Sequence, residues 1–178
     1  MKKYILILLF IHLSITNVSL ANDNIAFVDM DKILTNSKVG KSILSQLEIL
    51  NKKTIDDFKK IEKNLKVKEK KLISQKNILA PSEYDKNVIT LKSEINEYSK
   101  NRKNIIKNLN QIKKENINRL LQKINMILVK YSEKNSISLI LQKKFIITGK
   151  SDLDISEEIL KTVNEDIKEW SIKWKKNF

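Results

Sequence analysis

The chain has 178 residues, a formal net charge of +14 and 31% charged side chains, with two glycines, one proline, no cysteine and a single histidine. Glycine and proline this scarce mark a helical chain of one domain's length. Without cysteine, thiol chemistry and cysteine-based metal sites are excluded.

Met1 to Ala21 reads as a secretory signal: Lys2 and Lys3 lead, Tyr4 to Leu13 is an apolar run, and Ser19-Leu20-Ala21 is a small-x-small cleavage site. The competing reading is a retained anchor, although an apolar core of about ten residues is short for a span of about twenty. Cleavage after Ala21 removes His12, and with it every imidazole, and lowers the charge from +14 to +12 through Lys2 and Lys3. Such a chain has no Ser-His-Asp or Cys-His nucleophile.

Asn24 to Met30 suits a short strand ended by Asp29 and Asp31, with Asp31 as cap of a helix starting at Lys32 and a kink between Asn36 and Gly40. From about Lys41 the apolar residues take coiled-coil spacing. Leu44, Phe58, Leu65, Leu72 and Leu79 share one seven-residue series and Leu47 and Ile61 its companion. After Pro81 the series is Tyr84, Leu91, Tyr98, Ile105 and Ile112, interleaved with Val88, Ile95 and Leu109. Proline disfavours helix in the residue before it, and Ser82 with Asp85 forms an imperfect capping box. The pattern predicts two long antiparallel helices, the first from Lys32 to Leu79 and about 70 Å long, meeting at a tip near Pro81. Asn51, Arg102 and Asn116 interrupt the seam with polar side chains.

Beyond Ile112 the stripe widens through Ile117, Leu120, Leu121, Ile124, Ile127, Leu128 and Tyr131, as in a helix entering a body. Ser136 to Leu141, the Lys143-Lys144 turn and Phe145 to Gly149 read as a strand hairpin. Gly149 would supply an unusual backbone angle there. Asp154 or Ser156 caps a final helix that buries Ile159, Leu160, Val163 and Ile167. The tail carries Trp170, Trp174 and Phe178 at helical spacing beside Lys173, Lys175 and Lys176, or an alternation suited to a strand; a stripe packed on the body is preferred to one at a membrane interface.

Thr148-Gly149-Lys150-Ser151 resembles the end of a phosphate-binding loop, but the glycine needed at position 144 is Lys144. Carboxylate pairs such as Asp56 and Asp57 read as solvated faces, so no catalytic constellation or cofactor site is expected. The informative chemistry is diffuse positive charge along both helices, with Lys68, Lys70, Lys71, Arg102, Lys113 and Lys114 as candidate contacts for an anionic or unfolded partner. Nucleic acid fits that charge, but export separates the two, and no nucleic-acid partner is expected.

In sum, the chain resembles the Skp (OmpH) family of periplasmic chaperones. Three stretches carry the likeness: Ile25-Ala-Phe-Val-Asp-Met-Asp-Lys-Ile-Leu with Gly40-Lys41, Ile137-Ser-Leu-Ile-Leu, and Asp152-Leu-Asp-Ile-Ser. The resemblance implies a mainly α fold with a small β-sheet, a long antiparallel helical hairpin standing on a small trimerisation body. It implies a homotrimer whose basic arms hold unfolded outer-membrane proteins without ATP; the positive charge by itself suits the anionic partners an exported chain meets, lipid headgroups, lipopolysaccharide and acidic polypeptides. No lipopolysaccharide residue is carried over, and the Trp-rich tail lies outside the family pattern. The expected layout is signal 1–21, body 22–42 and 115–178, and arm 43–114. A structural coiled-coil spacer of the envelope is the alternative function.

Overall fold

A computed structural model describes residues 24–174; the signal, its cleavage after Ala21, and the tail beyond Trp174 with Phe178 lie outside them. The order is β1 (Asn24–Val28), α1 (Met30–Asn36), α2 (Lys38–Ser74), α3 (Pro81–Lys134), β2 (Ile137–Gln142) and α4 (Ser156–Asp166), with single 3-10 turns at Lys143–Phe145 and Ser151–Leu153. The fold is mainly α with one small two-stranded sheet.

The chain leaves β1 through Asp29, whose carboxylate accepts from Lys32 N at 2.9 Å; Asp29, not Asp31, is the cap, and α1 starts two residues before Lys32. The expected kink falls at Ser37. Its backbone is extended, and its fully buried hydroxyl accepts from Gly40 N at 3.1 Å, starting α2. Gly40 is required by space: a Cβ there would lie 1.8 Å from the carbonyl oxygen of Leu34. The first long helix is thus two helices set at an elbow.

α2 spans 37 residues, about 56 Å, and ends at Ser74, short of Leu79. Lys76, Ile78 and Leu79 donate backbone bonds back to Ile73 and Gln75, so the last expected turn of helix is instead a tight tip. Pro81 occupies the first turn of α3, where its missing N–H is no loss, and Ala80 precedes it with no side-chain cap; Ser82 does not cap. α3 spans 54 residues, about 81 Å, and returns antiparallel to α2, pairing Lys68 with Glu94, Phe58 with Tyr98 and Arg102 with Glu62. The chain leaves α3 through Ser136, the one described non-glycine residue at positive φ (53°).

β2 does not turn back on itself. It pairs with β1 in parallel, Ile25 beside Leu139 and Phe27 beside Leu141, with the whole helical hairpin as the crossover. The expected strand at Phe145 to Gly149 does not form, and the far end of this segment lies against Phe27. Gly149 approaches so closely that a Cβ would sit 3.0 Å from the Phe27 ring, and its φ is not positive. The free edge of β1 is taken instead by Asp154, with Ile155 N donating to Phe27 O at 3.0 Å.

The core lies under the sheet. Ala26 and Val28 meet Ile33 of α1, Val39 and Ile43 of α2, Leu120, Ile124 and Ile127 of α3, and Ile159, Val163 and Ile167 at α4. The widened stripe of α3 is the part that enters this body, as its spacing required. Asp154, just ahead of α4, accepts from both the backbone N–H (3.0 Å) and the hydroxyl of Ser156, while that hydroxyl accepts from Asp29 N at 2.8 Å. Ser156 thus ties the start of α1 to the start of α4, beside the Ile155–Phe27 backbone bond.

Candidate functional site

The long helical hairpin carries the exposed charge, and its seam alternates packed and open layers. Thr54, Phe58 and Ile105 form a buried layer and Leu91 another nearer the tip. Between and around them lie three grooves. One of about 380 Å³ is lined by Leu44, Leu47, Asn51, Leu109 and Lys113. The second, about 320 Å³, has a floor of Phe58, Ile61, Leu65, Tyr98 and Ile105. A third, of about 220 Å³ near the tip, is bordered by Lys68, Lys71, Leu72 and Leu91. Asn51 is thus a seam interruption that leaves a real gap beside it.

The middle groove is closed at one end by a compact cluster. Phe58 and Tyr98 meet edge to face with centroids 6.2 Å apart, and the Arg102 guanidinium lies 5.5 Å over the Phe58 ring. The Tyr98 hydroxyl donates to Glu62 at 2.6 Å, and Arg102 stands 3.6 Å from the same carboxylate. Loss of solvent, then the Glu62 hydrogen bond, pushes the Tyr98 phenol up to about 12.

The six candidate contacts do not converge on one spot. Arg102 is committed to the Phe58–Glu62 cluster, and Lys68 donates to both oxygens of Glu94 at 2.7 Å. Lys70, Lys71, Lys113 and Lys114 are exposed and form no ion pair among the described residues, the first two near the tip and the last two near the root. Exposed aliphatic side chains stand among the lysines: Ile49, Ile55, Val67 and Ile73 on α2, Ile89 and Ile106 on α3. The arrangement offers many separate weak contacts and no enclosed site. No group of side chains able to hold a metal ion, and no helix long and apolar enough to cross a membrane, occurs among the described residues.

At the root the sequence reading missed a junction. Asn116, expected only as a seam defect, is buried; its amide donates to Ile112 O at 2.8 Å and its carbonyl accepts from the Trp170 indole at 2.9 Å. The described part of the tail, 167–174, is neither helix nor strand; it packs on the body through Trp170 and Ile172. A polar residue in an apolar series, with a tryptophan elsewhere lacking a partner, was the available signal.

The body has its own unpartnered face. Ile25, Leu139 and Leu141 lie together on the outer side of the sheet, 43%, 48% and 40% exposed. Phe145 and Ile147, just after β2 in the chain, are 77% and 102% exposed.

The sequence model of the family described as outer membrane protein (OmpH-like) matches residues 24–163. A Skp-like protein of Chlamydia pneumoniae is 24% identical over 157 residues, covering 85% of this chain and 90% of its own. The crystal structure of a candidate outer membrane chaperone (OmpH-like) from Caulobacter crescentus CB15 has the same fold, with a TM-score of 0.81 at 15% identity over 86% of this chain and 91% of its own.

Proposed function

This chain belongs to the OmpH-like family, and on that premise we propose that it is an ATP-independent periplasmic holdase for unfolded outer-membrane proteins. Three copies join through their bodies, 22–42 and 115–178, after the signal 1–21 is removed, and their arms, 43–114, enclose the client and deliver it for insertion. The observation that carries this reading is the surface of the hairpin: lysines with no ion pair, scattered aliphatic side chains and shallow grooves, with no deep pocket among the described residues. A holdase grips many sequences weakly, so affinity must come from the number of contacts rather than from any one of them. Lys70, Lys71, Lys113 and Lys114 are the freest of the candidate contacts, Lys68 and Arg102 the least free, since each already holds a glutamate of the opposite helix. No step of this function needs a catalytic group or a cofactor.

Oligomerisation is supported by the bare apolar strip of Ile25, Leu139 and Leu141 on a sheet too small to stand alone. Anionic lipid and lipopolysaccharide match the positive field as secondary partners. The test is light scattering of a barrel protein diluted from urea, with the mature chain present at three copies per client. Suppressed scattering that weakens with added salt is expected. Unchanged scattering would overturn the holdase and leave an envelope spacer.

A further inference from the structure

The tail after α4 spans both helices of the hairpin at its root. Gln46 of α2 grips the backbone of the tail at two points: its amide donates to Trp170 O at 2.9 Å and its carbonyl accepts from Ile172 N at 3.0 Å. Trp170 reaches α3, donating from its indole to Asn116 at 2.9 Å, and the Arg119 guanidinium lies 4.9 Å over its ring. One short segment is thus bonded to α2 through its backbone and to α3 through a side chain.

The placement matters because of what lies next along the seam. Immediately toward the tip is the groove of about 380 Å³ at Leu47, Asn51 and Leu109, where the two helices do not seal against each other. The next buried layer is at Thr54 and Ile105.

We infer that residues 168–174 are a strap that clamps the root of the arm and sets how far α2 and α3 separate there. Asn116 stands polar within an apolar series and serves as the catch for the indole, its amide oxygen accepting from Trp170 while its amide nitrogen donates to Ile112 O. Gln46 reads only backbone, so the strap's grip on α2 survives changes at Ser171 and Lys173, whereas its grip on α3 depends on one side chain, Trp170, through the indole N–H on Asn116 and the ring under Arg119. The strap lies beyond the residues matched by the family, which end at Val163. Its role does not depend on the client.

Amide hydrogen exchange of the mature chain tests this, comparing the parent with Gln46→Ala, Trp170→Phe and a chain ending at Glu169. Helical content by circular dichroism first establishes that each variant folds. The expected result is exchange about tenfold faster in 44–53 and 109–116 for the truncated chain, and a smaller rise for the two point variants. Amides of Ile33, Ile124 and Val163 should keep their protection. Unchanged exchange at the root in all three variants would overturn the strap. So would an equal loss of protection across the body, since the tail would then be only another part of the core.

Discussion

Gly40→Ala sets two effects of opposite sign against each other. Replacing a glycine inside a helix with alanine ordinarily stabilises by up to about 1 kcal/mol. Here the added methyl would lie 1.8 Å from the Leu34 carbonyl oxygen, 2.8 Å from its carbon and 2.9 Å from the Ser37 hydroxyl. The first is only about half of a normal contact, and its partner is backbone, so no rotamer change relieves it. The elbow must open by more than an ångström, moving Ser37, Val39 and Ile43, all nearly or fully buried. Overpacking of this kind costs about 1–3 kcal/mol, and displacing the Ser37 cap costs about 1 more. Repulsion wins, and a net loss of about 1–3 kcal/mol is expected once the helix gain is subtracted. Urea unfolding followed by circular dichroism, at one fixed protein concentration because the chain is proposed to assemble, measures it. Gly149→Ala is the internal comparison: its Cβ meets the Phe27 ring edge at 3.0 Å in a surface segment, and the loss should be under about 1 kcal/mol. A Gly40→Ala chain as stable as the parent would refute the steric reasoning.

Other outcomes follow from single residues. Ser136→Gly removes the left-handed strain at the end of α3 and should raise stability by about 0.5 kcal/mol by the same urea measurement. Asp154 is pushed up by burial, but the hydrogen bonds from Lys143 and Ser156 outweigh that and hold it below its ordinary value. Because its folded value is depressed, its stabilisation is present above the ordinary carboxylate range and is lost as pH falls through it; Asp154→Asn should flatten that acid limb of a stability-against-pH curve. Tyr98 has the reverse sign: its contribution is full below pH 10 and is lost as pH rises from about 10 to about 12, and Tyr98→Phe should lessen the alkaline decline. Leu139→Lys places a charge on the bare strip of the sheet and should shift the proposed trimer to monomer in sedimentation, with helical content retained.

The long-range plan of the molecule was legible because it is written in periodicity. Seven-residue series on either side of Pro81 specify two paired helices, and the widening after Ile112 marks where the second enters the body. Caps and turns were less legible, since several neighbouring residues have the right chemistry: Asp29 and Asp31 both suit a helix start, and the nearer to β1 is used. The strand hairpin failed for a reason no local pattern carries. Ile137 to Leu141 and Phe145 to Gly149 have equal strand character, but β1 arrives from more than a hundred residues away and competes for β2. The second segment is then left to cover Phe27. Among the candidate contacts the charges themselves were visible, but their pairing was not. That Glu94 takes Lys68 and Glu62 takes Arg102 depends on the register between the helices, which a small shift at the tip would change.

The proposed grip of the arms on an unfolded client is tested most directly by photo-crosslinking, with a photoreactive side chain placed singly at Lys70, at Lys114 and, on the body, at Lys161. With an unfolded barrel protein present, adducts are expected from Lys70 and Lys114, diminishing as salt is raised, and none from Lys161. Adducts from Lys161 alone, or none from either arm position, would contradict it.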